Sequence, residues 1–214
     1  MANKQNIKKK LKPGDILLLL LYVDDCSSIR GRTRLQKMVF VFEEEILKQN
    51  GFDKLLSQNH QQSLFDFKPH YYGPFSEKVL TNMEFFVNVG MVEAKCDIQD
   101  GDFEEALAGI DDQQILMDDL RELPDGLEDD EAYGIEDEFC IEPEYFLSET
   151  GKKYVNEKLI VFISGEQKNA LTILKKNFNK ISLNNILRYV YTKYPNMSEE
   201  SLIKDTVLEK PWQF

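Results

Sequence analysis

The residues best suited to chemistry lie in the stretch KPHYYGPFSEK, positions 68–78. His70 stands beside Tyr71 and Tyr72, and an imidazole with two phenols could perform general acid–base chemistry. The stretch nevertheless reads as the start of a helix, because its Gly-Pro pair interrupts regular structure and Ser76 can cap the turn that follows. The sequence therefore favours packing and partner contact over catalysis for these aromatic side chains.

Nothing else in the sequence has the spacing of a metal site, a phosphate site or a nucleophile. His60 and His70 share no metal-ligand spacing with each other or with another candidate ligand. A glycine-rich phosphate loop and a nucleophile elbow are both missing. The runs DGLEDDE and DIQDGD lack the alternation of a calcium-binding loop. The sequence predicts no catalytic residue, no cofactor and no metal, and hence a protein that is not an enzyme.

Charge is distributed very unevenly along the chain. Segment 97–138 carries 18 acidic side chains and one basic side chain, a net charge of −17, whereas the rest carries 25 basic and 20 acidic side chains, a net charge of +5. Close-set like charges keep a segment extended, so it is either a solvated, disordered loop or a surface for a basic protein. For the second alternative, the candidate contact residues are Asp118, Asp119, Glu128, Asp129, Asp130 and Glu131.

The basic residues gather in RGRTR, which supplies Arg30, Arg32 and Arg34. These arginines could grip an anionic group, fold back on the acidic segment, or remain solvated surface charge. Together with His70, Tyr71 and Tyr72, they complete the candidate partner-binding residues.

Composition predicts a packed protein in a reducing compartment. Its hydrophobic content of 42% over 214 residues is enough for a core. The longest apolar run, 16–23, is too short to span a bilayer, so no membrane association is expected. Three cysteines are too few for a disulfide framework. We therefore expect a cytoplasmic location, and reduced thiols at Cys96 and Cys140, which flank the acidic segment.

Apolar periodicity and capping residues predict mainly helices. The predicted helices cover 15–22, 33–50, 76–89, 148–159, 166–178, 183–194 and 198–209, and the predicted extended segments cover 64–67, 91–96 and 139–147. Thr33 and Gln36 have the spacing of a capping box. Ser76, Ser182 and Ser198 are further predicted caps, and the helix after Leu147 is capped by either Ser148 or Thr150.

This order of elements predicts an α+β fold that is mostly α. Its core resembles a winged helix-turn-helix, with the acidic insertion 97–138 in the wing and the helix after Ser76 in the recognition position. Residues 1–163 form the winged-helix-like domain in this interpretation. Residues 164–214 form a helical extension packed on the same domain.

Three motifs and the C-terminus resemble a known group of proteins. The motifs are RLQKMVFVFEE at 34–44, YYGPFS at 71–76 and LSETGKKY at 147–154, and the tail has Thr206 followed by Pro211 and Trp212. They are similar to the phage-associated SocA-like proteins, whose domain is called Panacea, and to the related YwgA-type bacterial proteins. The resemblance implies a winged-helix-like core with extra helices and antitoxin activity through protein contact. It implies no catalytic residue.

We therefore expect a non-catalytic interaction module that binds and neutralises a protein partner, such as a basic toxin or defence protein. The alternative is a DNA-binding transcriptional regulator that uses RGRTR and the N-terminal lysines Lys8, Lys9, Lys10 and Lys12. Binding to DNA scales with the number of phosphates neutralised, yet the predicted recognition helix offers only Lys78 against Glu77 and Glu84. DNA remains a possible but disfavoured partner, and the oligomeric state is open.

Overall fold

Helices dominate the part of the chain that the structure describes. The structure is a computed structural model that describes residues 11–56, 63–96 and 143–209. In these ranges the α-helices are α1 (Asp15–Tyr22), α2 (Arg32–Val41), α3 (Glu77–Asn88), α4 (Glu149–Tyr154), α5 (Gly165–Lys180), α6 (Leu183–Lys193) and α7 (Lys204–Glu209), and the strands are β1 (Ile29–Arg30), β2 (Val92–Lys95) and β3 (Glu144–Leu147). The π-helical turns Phe42–Ile46 and Val155–Leu159 continue α2 and α4. None of the helices in these ranges is long and apolar enough to cross a membrane.

Helix α1 lies at the centre of the fold. Its residues 16–21 are all buried, so it is apolar on every side. A helix of this kind needs neighbours all round, and α1 contacts β3, α5 and the π-helical turn Val155–Leu159. The predicted helix over 15–22 is confirmed.

The three strands form one small antiparallel sheet in the order β1–β3–β2. Ile29 pairs with Tyr145, and Val92 pairs with Leu147. Tyr145 and Leu147 are the buried residues of β3, so one face of the sheet packs on the core. The predicted α+β class with mostly helix is confirmed, as are strands within 91–96 and 139–147. Residues 139–142 and the acidic insertion lie outside the described residues.

The predicted extended segment at 64–67 is wrong. The amides of Leu64 and Phe65 donate to the carboxylate of Glu43 at 2.7 and 3.1 Å. Asp66 adopts a positive φ of 52°, which breaks an extended path. Since a side chain satisfies these amides, no neighbouring strand is needed there. The third strand is β1, which the sequence did not indicate.

The predicted capping box of Thr33 and Gln36 is also wrong. Helix α2 begins at Arg32, and its capping residue Gly31 makes no side-chain cap. The Gln36 amide instead donates to the Ser76 carbonyl at 2.9 Å and accepts from the Ser76 amide at 3.0 Å. The Gln36 side chain therefore binds a residue distant in the sequence, and not the start of its own helix as the local pattern predicted.

Arg188 joins the last two helices to each other. Arg188 on α6 donates to the Val207 and Leu208 carbonyls of α7 at 2.7–3.0 Å. Helices α5 and α6 both pack on α2. The predicted helix after Ser198 is confirmed only from Lys204 onward, because the Ser198 hydroxyl donates back to the Pro195 carbonyl and caps nothing.

The cysteines differ from the expectation of reduced thiols. Cys26 is free, as expected. Cys96, at the end of β2, is disulfide-bonded, so the prediction for this residue is wrong. Cys140 lies outside the described residues. A sequence with three cysteines and no regular spacing carries no local signal of such a bond.

The ammonium group of Lys175 joins α5 to the turn after α1. The side chain is fully buried, and Nζ donates to the carbonyls of Leu21, Val23 and Ser27 at 2.5–3.0 Å. Residues 24–26 all have positive φ, between 53° and 58°, which costs a non-glycine residue about 1–2 kcal/mol. The three N–H groups of the Lys175 ammonium thus donate to three carbonyls that surround the positive-φ turn at 24–26.

This buried lysine predicts a pH dependence of stability. Burial lowers the pKa of Lys175 to about 8, against the opposing attraction of Asp24 and Cys26. The unfolded chain keeps this proton until about pH 10.4, so above pH 8 the unfolded state binds more protons. The free energy of unfolding should therefore rise with pH between 8 and 10, by at most about 1.4 kcal/mol per pH unit.

Urea titrations between pH 7 and 9.5 on the natural chain and on Lys175→Met test this expectation. The variant lacks the titrating group, so the difference between the two chains should widen above pH 8. A constant difference over this range would show that the ammonium keeps its proton in the folded state.

Candidate protein-interaction surface

Helix α3 begins at a well-defined cap. The Ser76 hydroxyl accepts from the Val79 amide at 3.2 Å, which confirms the cap that the sequence predicted. Val79, Met83 and Phe86 face the core. This spacing leaves the positions between them on the solvent side of the helix.

Polar side chains of α2 hold the segment that leads into α3. The two Gln36–Ser76 hydrogen bonds are buried, and so is the Lys37 ammonium, which donates to the Pro74 carbonyl at 3.0 Å. The Ser76 hydroxyl also donates to the Phe65 carbonyl at 2.5 Å. Buried polar networks of this kind fix one geometry, because a displaced group loses its partner. The start of α3 is therefore rigidly positioned relative to α2.

The solvent side of α3 exposes an aromatic and an aliphatic side chain one turn apart. Phe85 is 56% exposed and Val89 is 45% exposed. The surrounding residues of this surface, which we call the α3 face, are Thr81, Glu84 and Asn88. Aromatic side chains are enriched at the energetic centres of protein interfaces. The α3 face therefore has the composition of a protein contact.

The charge on α3 is negative. Glu77 and Glu84 are exposed, and Lys78 forms an ion pair with Asp66. A basic partner would be attracted to this helix, and a phosphate backbone would be repelled.

Arg32 at the start of α2 and Glu84 on α3 both act electrostatically on Tyr145. Burial raises the pKa of Tyr145, the positive charge of Arg32 lowers it, and the negative charge of Glu84 raises it. Arg32 is exposed. Arg30 is exposed on β1, where its backbone lies opposite Glu144 of β3 in the sheet.

The Arg34 side chain makes hydrogen bonds within the fold. Its guanidinium donates to the Phe178 carbonyl and, at 2.8 Å, to the Ile181 carbonyl. These carbonyls lie at the C-terminal end of α5, where helix carbonyls lack internal partners and attract cations. We therefore leave Arg34 out of the candidate surface.

The aromatic loop lies before the N-terminus of α3, away from Phe85 and Val89 at the other end of the helix. The His70 ring stacks on Phe75 with centroids 4.7 Å apart and lies 4.7 Å from Tyr71. Tyr71 is 48% exposed, and Tyr72 is half-buried. Burial and the charge of Lys37 lower the pKa of His70, so its imidazole is neutral at pH 7.

No three His, Cys, Asp or Glu side chains within residues 11–56, 63–96 and 143–209 are grouped so that they could hold a metal ion. The acidic candidates Asp118, Asp119, Glu128, Asp129, Asp130 and Glu131 lie outside these ranges. The structure therefore places Arg30 and Arg32 at the surface and the His70 loop before the N-terminus of α3.

Sequence reasoning missed Phe85 and Val89 as surface residues. The helical period could have shown this, because a helix that buries residues 79, 83 and 86 exposes residues 85 and 89 on its opposite side. The surface has to be interpreted from its own chemistry, since no protein-family model matches the chain, and neither a curated protein nor a solved structure shows significant similarity to it.

Proposed function

We propose that this chain is a non-catalytic protein-interaction module of the antitoxin or phage-defence type, which binds and neutralises a basic partner protein. The observation that carries the proposal is the α3 face, where Phe85 and Val89 are exposed on a helix whose exposed carboxylates are Glu77 and Glu84. An apolar centre within an acidic surround complements a partner with an apolar centre and a basic rim.

The arrangement of elements supports a winged-helix core. The chain runs α1, β1, α2, α3, β2, β3, and β3 lies between the other two strands of the sheet. Helix α3 then takes the recognition position, and the segment between β2 and β3 takes the position of the wing. That segment carries a net charge of −17 over 97–138, which also favours a basic partner.

The resemblance to the SocA-like and Panacea proteins supports the same class of function. Two of the motifs that carry the resemblance, at 34–44 and 71–76, contact each other, since Gln36 binds Ser76 and Lys37 binds Pro74. These motif residues hold the start of α3. Partner choice is then expected to depend on the side chains of the exposed α3 face. A cytoplasmic location and the absence of enzymatic activity belong to this proposal.

Co-expression with the product of the adjacent gene tests the function. We expect that product to co-purify with the chain and to lose its toxicity in its presence. Phe85→Asp should weaken binding at least about thirtyfold, the effect of losing a central interface side chain. Val161→Asp is the matched control, because Val161 is 68% exposed on a different helical turn. Failure to bind or neutralise, or equal effects of the two variants, would count against the proposal.

A DNA-binding transcriptional regulator is the second candidate. The exposed side chains of Arg30 and Arg32 favour it, because they could contact phosphates. Mobility-shift titration against the protein's own promoter at about 150 mM salt separates the two functions. Specific binding that Arg30→Ala and Arg32→Ala abolish would promote this candidate above the protein module.

A further inference from the structure

One face of α5 carries an exposed stripe with unlike charges at its two ends. The stripe consists of Glu166, Ala170, Ile173, Asn177 and Lys180, at alternating spacings of four and three residues. This spacing keeps side chains along one line of a helix that meets another helix. Ile173, in the middle of the stripe, is 50% exposed. Within the described ranges, Glu166 and Lys180 have no ion-pair partner.

An apolar groove of about 470 Å³ opens beside this stripe. Its walls come from α5, α6 and the π-helical end of α2, and they include Val41, Ile46, Ile173, Phe178 and Ile181. The stripe and the groove are continuous, because Ala170, Ile173 and Asn177 belong to both.

Glu45 and Tyr189, two polar residues of the groove wall, already have partners. Glu45 accepts from the hydroxyls of Tyr189 and Tyr194 at 2.6 and 2.9 Å and pairs with Lys193 at 2.8 Å. Its negative charge is therefore matched within the chain. The groove is suited to uncharged apolar side chains, and isoleucine is the apolar residue that its own rim exposes.

We propose that a second copy of this chain covers the stripe and groove, with the two α5 helices packed antiparallel about a twofold axis near Ile173. Residues at equal distances before and after Ile173 then face each other. Glu166 of one copy lies opposite Lys180 of the other, and symmetry repeats this pair. Asn169 and Asn177, both exposed, lie opposite each other and can exchange hydrogen bonds.

The charges select the antiparallel arrangement. A parallel pair would set Glu166 against Glu166 and Lys180 against Lys180, and like charges that face each other across an interface are unfavourable. The antiparallel pair converts both repulsions into attractions and also places Ile173 of each copy at the groove of the other. Two copies joined in this way would carry two α3 faces, so the dimer lies on a surface separate from the proposed partner site.

Sedimentation equilibrium of the full chain at about 5–500 µM tests the proposal, since interfaces of small area dissociate at such concentrations. Non-reducing gel electrophoresis of the same sample shows whether any dimer is held by an intermolecular disulfide. We expect a reversible dimer with twice the mass of one chain. Ile173→Asp should weaken it at least about tenfold, because the variant places a carboxylate at the centre of the contact.

Charge reversal distinguishes this interface from any other. Glu166→Lys and Lys180→Glu should each weaken the dimer, and the double variant should restore it, because both pairs are re-formed with exchanged signs. Val161→Asp and Phe85→Asp are controls that should leave the dimer unchanged. A chain that is monomeric over the whole concentration range, a dimer that survives Ile173→Asp, or a double variant that fails to recover would each overturn the proposal.

Discussion

Lys175→Met is expected to lower the free energy of unfolding by about 3 kcal/mol or more, because three carbonyls lose their charged donor at once. Methionine fills a similar volume but donates no hydrogen bond. The carbonyls of Leu21, Val23 and Ser27 would then lose the partner that Nζ supplies at 2.5–3.0 Å. A buried carbonyl left without a partner is unfavourable by about 1–3 kcal/mol. Urea unfolding followed by circular dichroism measures the loss.

Lys176→Met provides the matched control on the next residue of α5. Lys176 is 53% exposed and pairs with Asp24 at 3.5 Å. Exposed ion pairs contribute about 0–1 kcal/mol, so this variant should stay within about 1 kcal/mol of the natural chain. If Lys175→Met were as stable as Lys176→Met, water would have to satisfy the three carbonyls, and the turn at 24–26 would not depend on the lysine.

Gly151→Ala is the second substitution with a large expected effect, about 3 kcal/mol of lost stability. A Cβ at Gly151 would overlap the Met91 carbonyl oxygen and would lie 2.8 Å from Cδ1 of Leu147. That carbonyl also accepts from the Ser148 amide at 3.1 Å and from the Ser148 hydroxyl at 3.0 Å. Because the obstacle is backbone, α4 must move away from the sheet. Overpacking of this kind costs about 1–3 kcal/mol before the broken hydrogen bonds are added.

Gly165→Ala makes the same chemical change at a helical glycine with free space. No atom would lie within 4 Å of a Cβ at Gly165, the first residue of α5. Alanine is the better helix former by up to about 1 kcal/mol, so this variant should be as stable as the natural chain or slightly more stable. Thermal unfolding of the two variants side by side measures the contrast. Equal melting temperatures would refute the close approach of α4 to Met91.

Much of the secondary structure was readable from the sequence because its signals act over a few residues. The caps at Ser76, Ser148 and Ser182 each bind an amide three residues later. The apolar run of α1 and the strand pattern around Val92 are equally local. Predictions of this kind succeeded wherever the nearby groups had no stronger distant partner.

The candidate surface was only partly readable. The sequence marked Arg30 and Arg32, and both are exposed. It marked Arg34 as well, but the structure engages that guanidinium with the carbonyls at the end of α5. Exposure of Phe85 follows from helical phase, because Val79, Met83 and Phe86 take the buried side of α3.

The sequence by itself determined that this chain is an acidic, mainly helical α+β protein with capped helices and two longer strands. The tertiary structure decided which hydrogen-bond partners its buried polar side chains have. Gln36 binds Ser76 across 40 residues, and Lys175 binds the Leu21 carbonyl across 154 residues. A buried donor takes whichever acceptor the packed core brings to it, because leaving either group without a partner is unfavourable. That choice depends on distances between elements, which no local pattern contains.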